Sequence, residues 1–321
     1  MVNVLVFGAT GYIGEALCQS LVTSGNHRVY GLARSASKAA QLARGEVIPI
    51  LGSLGENSGL LRAIETYHIN VIIDVSSAKD EISTFLQALV ESEQKRLAAA
   101  KAAGIRTPKL GFIYASGTWV HGSSNSPVND LTPVGLPNSP DQPPTLVSWR
   151  PVFERQVLAA SEVLDTMVMR PALVYGRSCD IWSTFFQVLF NAASSGPSTV
   201  SVGLDPESIP ALVHVDDVAS AIHAAVDKLP LISGTGVYPV FDLMTSQESM
   251  RDIMVAAARE FGFKGEVVLS GTGGDLFADA MSVTGNLDSG RAKQLLGWLP
   301  KRVGFVGDMD RIAGAWVAAH K

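Results

Sequence analysis

Only two cysteines, Cys18 and Cys179, occur in 321 residues. That is too few for a disulfide framework and fits a reducing, cytoplasmic setting. Basic residues are outnumbered, 25 to 30, leaving a net charge of −5 and a pI near 5.7. Without a basic stripe, neither nucleic acid nor an anionic membrane surface is an expected partner. Hydrophobic residues make up 47% of the chain, yet no uninterrupted run approaches the ~20 residues of a spanning helix. Met1-Val2-Asn3 leads directly into a strand pattern without a charged leader or cleavage site, so no secretory signal is expected. The six histidines, His27, His68, His121, His214, His223 and His320, form no i,i+4 pair and no Cys/His spacing, so no metal site is expected. Repeats and low-complexity tracts are also absent.

What is present begins at residue 2. A strand pattern, Val2 to Phe7, runs into Gly8-Ala9-Thr10-Gly11-Tyr12-Ile13-Gly14 and then an amphipathic stretch with Ile13, Ala16, Leu17 and Leu21 on one face. Strand, glycine turn and helix in this order form a dinucleotide fingerprint. The first glycine permits the tight turn, the second lets backbone approach a pyrophosphate, and the third lets helix and strand pack closely.

The Gly-x-x-Gly-x-x-Gly spacing resembles the short-chain dehydrogenase/reductase superfamily in its extended and atypical, epimerase/dehydratase-like branches. Three more segments carry the resemblance in family order: Ala115-Ser116-Gly117-Thr118-Trp119-Val120-His121-Gly122, Arg170-Pro171-Ala172-Leu173-Val174-Tyr175-Gly176 and Val213-His214-Val215-Asp216-Asp217-Val218-Ala219. The resemblance implies a Rossmann-type α/β fold, a nicotinamide cofactor and a small-molecule substrate, with homodimer formation left open. As cofactor contacts it implies Gly8, Thr10, Gly11, Tyr12, Ile13, Ser53, Ser76, Pro171 and Leu173.

One more absence bears on which dinucleotide is bound. A site preferring NAD places an Asp or Glu near the end of strand two to hold the ribose 2′-hydroxyl. From Ala16 to Gly45 this chain has no acidic residue, whereas Arg28, Arg34, Lys38 and Arg44 are basic. Arg34 directly follows that strand, and its planar donor fork suits a 2′-phosphate. NADP is therefore expected over NAD.

Farther along, Val47 to Leu51, the apolar run Val71 to Val75, Leu110 to Tyr114 and Thr166 to Met169 read as strands, separated by helical patterns near Ser58 to His68 and Lys79 to Ala103. Right-handed crossovers then require a doubly wound parallel sheet. Residues 1–176 are expected to form the dinucleotide-binding core and 177–321 mainly a smaller C-terminal substrate lobe, with about 210–245 returning to the core. The Pro-, Ser- and Asn-rich stretch Ser123 to Pro144 reads as a long, lid-like loop.

The resemblance weakens at the catalytic positions. The superfamily reduces carbonyls with a Tyr acid, a Lys four residues later and a Ser or Thr on the substrate oxygen. Anchoring on Glu154-Arg155-Gln156-Val157-Leu158 puts Arg150 at the Lys position and Leu146 at the Tyr position, and aligning Val120-His121-Gly122 puts Gly117 at the Ser/Thr position. Ser116 and Thr118 flank that last position and are the candidate oxyanion donors. Arg150 keeps the charge that holds a ribose but cannot transfer a proton. His121 replaces a family Tyr and is a candidate acid/base or a hydrogen-bonded structural residue. The expected function is an NADP(H)-dependent reductase or epimerase/dehydratase-like enzyme. The alternatives are a non-redox dinucleotide-binding regulator resembling NmrA-like proteins, or a non-redox isomerase or cyclase.

Overall fold

The computed structural model describes residues 1–321. The first half alternates strand and helix: β1 (Val2–Phe7), α1 (Tyr12–Thr23), β2 (His27–Ala33), α2 (Ala36–Arg44), β3 (Ile48–Leu51), α3 (Asn57–Thr66), β4 (Val71–Asp74), α4 (Lys79–Ala102) and β5 (Leu110–Ala115). Then follow β6 (Ser124–Asn129), α5 (Arg150–Ala159), β7 (Leu164–Pro171), β8 (Leu173–Tyr175), α6 (Ser183–Ser195), β9 (Thr199–Val202), β10 (Ala211–His214) and α7 (Val215–Ile232). The chain ends with β11 (Val240–Leu243), β12 (Ser246–Gln247), α8 (Met250–Glu260), β13 (Glu266–Leu269), α9 (Leu276–Met281), β14 (Gly285–Asp288), α10 (Gly290–Leu296) and α11 (Met309–His320).

Seven strands form the main sheet in the order β11-β7-β5-β4-β1-β2-β3. The pairs β1/β2, β1/β4, β2/β3, β4/β5 and β5/β7 are all parallel. Every residue of β4 and β5 is buried, as the absence of apolar/polar alternation requires of strands covered on both faces. Strand order reverses direction between β1 and β4. In a doubly wound sheet such a switch point opens a crevice beyond the carboxyl ends of the strands.

Contacts divide the chain into two units, the first comprising Met1–Ser116, Val152–Met169 and Ala219–Val240, the second Gly117–Pro151, Arg170–Val218 and Phe241–Lys321. Beyond β5 the chain leaves the first unit at Gly117, and only α5, most of β7 and most of α7 return to it.

The second unit has its own aromatic core. Tyr175 stacks on Phe305 at 4.6 Å between ring centroids, Trp182 meets Phe305 edge-on at 4.9 Å, and Phe186 and Trp316 pack beside them. The buried Trp182 indole donates to the carbonyl of Val174 at 2.9 Å, so this large ring is buried with its polar group satisfied. The stretch 123–144 is not a free loop throughout. Its β6 pairs in parallel with β14, and the Ser124 amide donates to the Thr284 carbonyl. The pairing partner lies some 160 residues away, beyond the reach of any local sequence signal.

Candidate functional site

The glycine turn is held by its own backbone. Gly11 N–H donates to Gly8 O at 2.9 Å, and Glu15 N–H donates to Gly11 O to open α1. A Cβ on Gly14 would collide with Gly8 O, far inside van der Waals distance. The third glycine is therefore what permits α1 to pack on β1. Gly8 has φ +76°, and a Cβ there would stand 3.0 Å from the backbone of Ser76. Gly11 is exposed, and a Cβ on it would approach only Gly8 O, at 3.2 Å. No side chain caps the N-terminus of α1, which leaves its first amides directed at the crevice for an anion to complete. Three close-packed glycines and an uncapped helix start are what a pyrophosphate requires, so these residues fit the group.

Around this turn the first unit assembles several predicted contacts at the carboxyl ends of its parallel strands. Ser76 follows β4. Its amide and hydroxyl donate to Asp74 Oδ1 at 3.0 and 2.6 Å, which folds the strand exit back beside Gly8. Ser53 follows β3 and is half-buried. Arg34 follows β2, exposed, with its guanidinium in no ion pair, while the next residue, Ser35, caps α2 by accepting from Lys38 N–H. Thr10, Tyr12 and Ile13 are half-buried in the turn and first helical residues. Ser116 follows β5, its amide donating to Met169 O at 2.8 Å. The Ser116 hydroxyl is buried without a hydrogen-bond partner. An unsatisfied buried hydroxyl costs about 1–3 kcal/mol, a strain characteristic of functional positions.

The remaining predicted residues belong to the second unit. Thr118 is buried in a 3₁₀ turn, Thr118–His121, and lines a narrow 10 Å³ space with His121, Ala211 and Gly285. Arg150 is the first residue of α5, its guanidinium 5.1 Å from the Trp149 ring. Leu146, at the family's Tyr position, is 39% exposed and carries no acid function. Pro171 ends β7. Leu173 is 3% exposed and packed in the aromatic core of this unit, so its side chain is not available to a cofactor.

His121 proves to be a packed, hydrogen-bonded residue. Its Nε2 lies 2.8 Å from Asp242 Oδ2, and Arg170 reaches the other carboxylate oxygen at 3.6 Å. The Asp242 amide in turn donates to Asp130, which pairs with Arg291 at 2.8 Å. Burial pushes the Asp130 carboxyl above its ordinary value, partly offset by Arg291. Asp242 escaped the sequence reading because an isolated charged residue in a strand carries no motif, and Arg170 stood in a quoted segment whose partner across the chain no motif names.

The other reactive side chains are also committed to structure. Burial raises the thiols of Cys18 and Cys179 to about 12, which leaves both as inert thiols. Burial also raises the Tyr175 phenol, whose OH donates to Arg302 O at 3.2 Å. Tyr114 is buried in β5 edge-on to Phe153. In Val213-His214-Val215-Asp216-Asp217 the two carboxylates reach groups far along the chain. Asp217 accepts the amides of Lys301 and Arg302, both at 2.8 Å, and Asp216 pairs with Arg177 at 2.6 Å. A groove of about 660 Å³ lined by Arg62, Glu65, Glu93 and Arg96 lies at the amino ends of β4 and β5, the end of the sheet opposite the glycine turn.

Comparison with known proteins agrees with this architecture. Residues 4–238 match the NAD dependent epimerase/dehydratase family. A relative, the 2-alkyl-3-oxoalkanoate reductase of Stenotrophomonas maltophilia strain K279a, is 28% identical over 179 residues. The match spans about half of each protein, 54% of this chain and 51% of the reductase. Among solved structures, dTDP-glucose 4,6-dehydratase from Bacillus anthracis str. Ames in complex with NAD superposes with a TM-score of 0.71 at 16% identity, covering 100% of this chain and 98% of that one. UDP-glucose 4-epimerase from Thermus thermophilus in complex with NAD gives 0.67 at 20% identity, covering 99% and 100%. At such identities the likeness is one of fold. With the family match covering most of the chain, and the glycine turn at the sheet's switch point, this protein belongs to the NAD dependent epimerase/dehydratase family.

Proposed function

We propose that the protein is an NADP(H)-dependent oxidoreductase that reduces a carbonyl of a small organic substrate with an atypical catalytic set. The observation that carries the cofactor choice is Arg34, exposed and unpaired directly after β2, in a stretch from 16 to 45 that has no carboxylate. A guanidinium there favours a 2′-phosphate through charge-assisted, bidentate hydrogen bonds, and no acid is present to hold a 2′-hydroxyl. The name of the partial relative, a reductase of a 3-oxoalkanoate, supports a carbonyl as the reacting group.

The cofactor supplies the hydride, so the protein contributes binding, orientation and stabilisation of developing negative charge. Gly8, Gly11 and the start of α1 bind the pyrophosphate. The unpartnered Ser116 hydroxyl donates to the substrate oxygen as it becomes an alkoxide. Arg150 contributes positive charge. A screen of ketones and enones with NADPH, followed at the nicotinamide absorbance band, tests this reading. Consumption of NADPH, with NADH markedly poorer, supports it.

One observation favours a second reading. The position of the family's Tyr holds exposed Leu146, and that of its Ser/Thr holds Gly117. If NADPH binds and no substrate class consumes it, the protein is a dinucleotide-binding regulator or a non-redox isomerase.

A further inference from the structure

Within the first unit, β2, α7 and α1 bring together three groups that sequence spacing keeps apart. His27 opens β2, and His223 and Asp227 lie one turn apart on α7, an i,i+4 pair that faces the same way. His27 Nε2 is 3.1 Å from His223 Nε2 and 3.3 Å from Asp227 Oδ1, and His223 Nε2 is 3.9 Å from Asp227 Oδ2. One ligand atom from each of the three residues thus lies within 4.8 Å of the other two. We propose that His27, His223 and Asp227 form a binding site for a divalent transition-metal ion of the zinc class.

The distances carry the assignment. With Zn–N of about 2.0–2.1 Å and Zn–O of about 2.0–2.2 Å, the ligand atoms of a tetrahedral site lie about 3.3–3.4 Å apart. The two edges from His27 are close to that value, and a small rotation of the Asp227 side chain, 51% exposed, closes the third. The nearest outer partner is also of the usual kind for a ligating histidine. His223 Nδ1 lies 2.9 Å from Ser20 Oγ on α1, and the tautomer that donates Nδ1–H to this hydroxyl turns a bare Nε2 toward the cluster. Ligation by His27 places its proton on Nδ1, which is buried without a hydrogen-bond partner, a cost that the metal–ligand bonds offset. Two imidazoles and one carboxylate select zinc-like ions over calcium or magnesium, which prefer all-oxygen sets. The exposed Asp227 edge gives the ion entry from solvent, with water as the fourth ligand.

The role is structural. His27 is at the start of β2 and Arg34 follows its end, so at ~3.3 Å rise per residue about 20 Å separates this site from the cofactor's 2′-phosphate contact. A bound ion ties the first residue of β2 to α7 and leaves cofactor affinity untouched.

The test uses tag-free protein stripped with chelator and desalted. Zn²⁺ titrated calorimetrically should bind once per chain, and saturating Zn²⁺ should raise the melting temperature by ~5 °C. Co²⁺ should give the intense visible bands of a tetrahedral site. Ser20→Ala should weaken Zn²⁺ binding by about 10-fold. His223→Ala and Asp227→Asn should weaken it further, each with NADPH affinity unchanged. Asp227 is half-exposed, so that variant reports on the metal even if His223→Ala melts early. Absence of saturable binding up to ~100 μM Zn²⁺, a binding free energy weaker than about 5.5 kcal/mol, overturns the proposal. So does binding that Asp227→Asn and Ser20→Ala both leave unchanged.

Discussion

His121 Nε2 and Asp242 Oδ2 lie 2.8 Å apart with the two side chains 2% and 0% exposed. A carboxylate only accepts, so the proton of this bond sits on Nε2. Arg170 closes on the other oxygen, making Asp242 the hub of a buried charge network. Removing Asp242 takes the carboxylate away from the buried His121 and Arg170 side chains. Asp242→Ala is therefore expected to cost about 3–5 kcal/mol of unfolding free energy, measured by urea denaturation. A loss under about 1 kcal/mol would show that the network is not a structural hub.

The three glycines of the turn are expected to fail in different ways. Gly14→Ala drives a methyl into Gly8 O, a backbone atom that cannot move without α1 leaving β1, and should cost at least about 3 kcal/mol of stability. Gly11→Val presses on Gly8 O alone, at 3.2 Å, and occupies the approach of the pyrophosphate. It should abolish dinucleotide binding at a smaller stability cost than Gly14→Ala. A Gly11→Val protein that binds NADPH normally would refute this assignment of the turn.

Arg34→Ala should erase the preference for NADPH over NADH, at a cost of about 1.5–3 kcal/mol for a charged hydrogen bond. Fluorescence titration of both cofactors reads the effect directly. Equal affinities in the parent protein would exclude a 2′-phosphate contact.

Ser116→Ala separates function from stability. The hydroxyl is buried without a partner, so its removal should leave the melting temperature unchanged or slightly raised. Turnover of a carbonyl substrate should nonetheless fall about 100- to 1000-fold, with NADPH affinity retained. Unaltered kcat would remove Ser116 from the reaction.

His214 sets part of the acid sensitivity. Burial pushes its pKa below the ordinary value, against the pull of Asp216 and Asp217 and with that of Arg302 and Arg177. Its Nδ1 accepts the Asp216 amide at 3.1 Å, a bond that only the neutral ring makes. The folded protein thus binds fewer protons than the unfolded one. Stability is full above the unfolded pKa of about 6.5 and falls as pH drops through it toward the folded value. His27 and His223 are shifted in the same direction. Melting temperatures should hold from pH 8 to 7 and decline toward pH 5, and His214→Asn should decline less steeply. An identical slope for the variant would assign the effect to the other two histidines.

The sequence by itself determined the parts of this protein that are local. Gly8 to Gly14, with the flanking strand and helix, is one contiguous device whose spacing is dictated by backbone geometry, and the doubly apolar β4 and β5 signal a parallel sheet through composition alone. Arg34 was legible because its position is counted from the end of a strand. Tertiary structure decided everything that depends on residues meeting across the chain. It tied β6 to β14 within a stretch that reads as loop, turned Leu173 into an aromatic core, and brought Asp217 to the amides of Lys301 and Arg302. It also joined His121 to Asp242 and His27 to His223, pairs 121 and 196 residues apart. Strand and helix periodicity specifies which face of an element is buried, but not which distant polar group it meets there. That choice follows from the sheet order and the packing of helices on it, where a buried charge or imidazole must find a partner to offset its lost water.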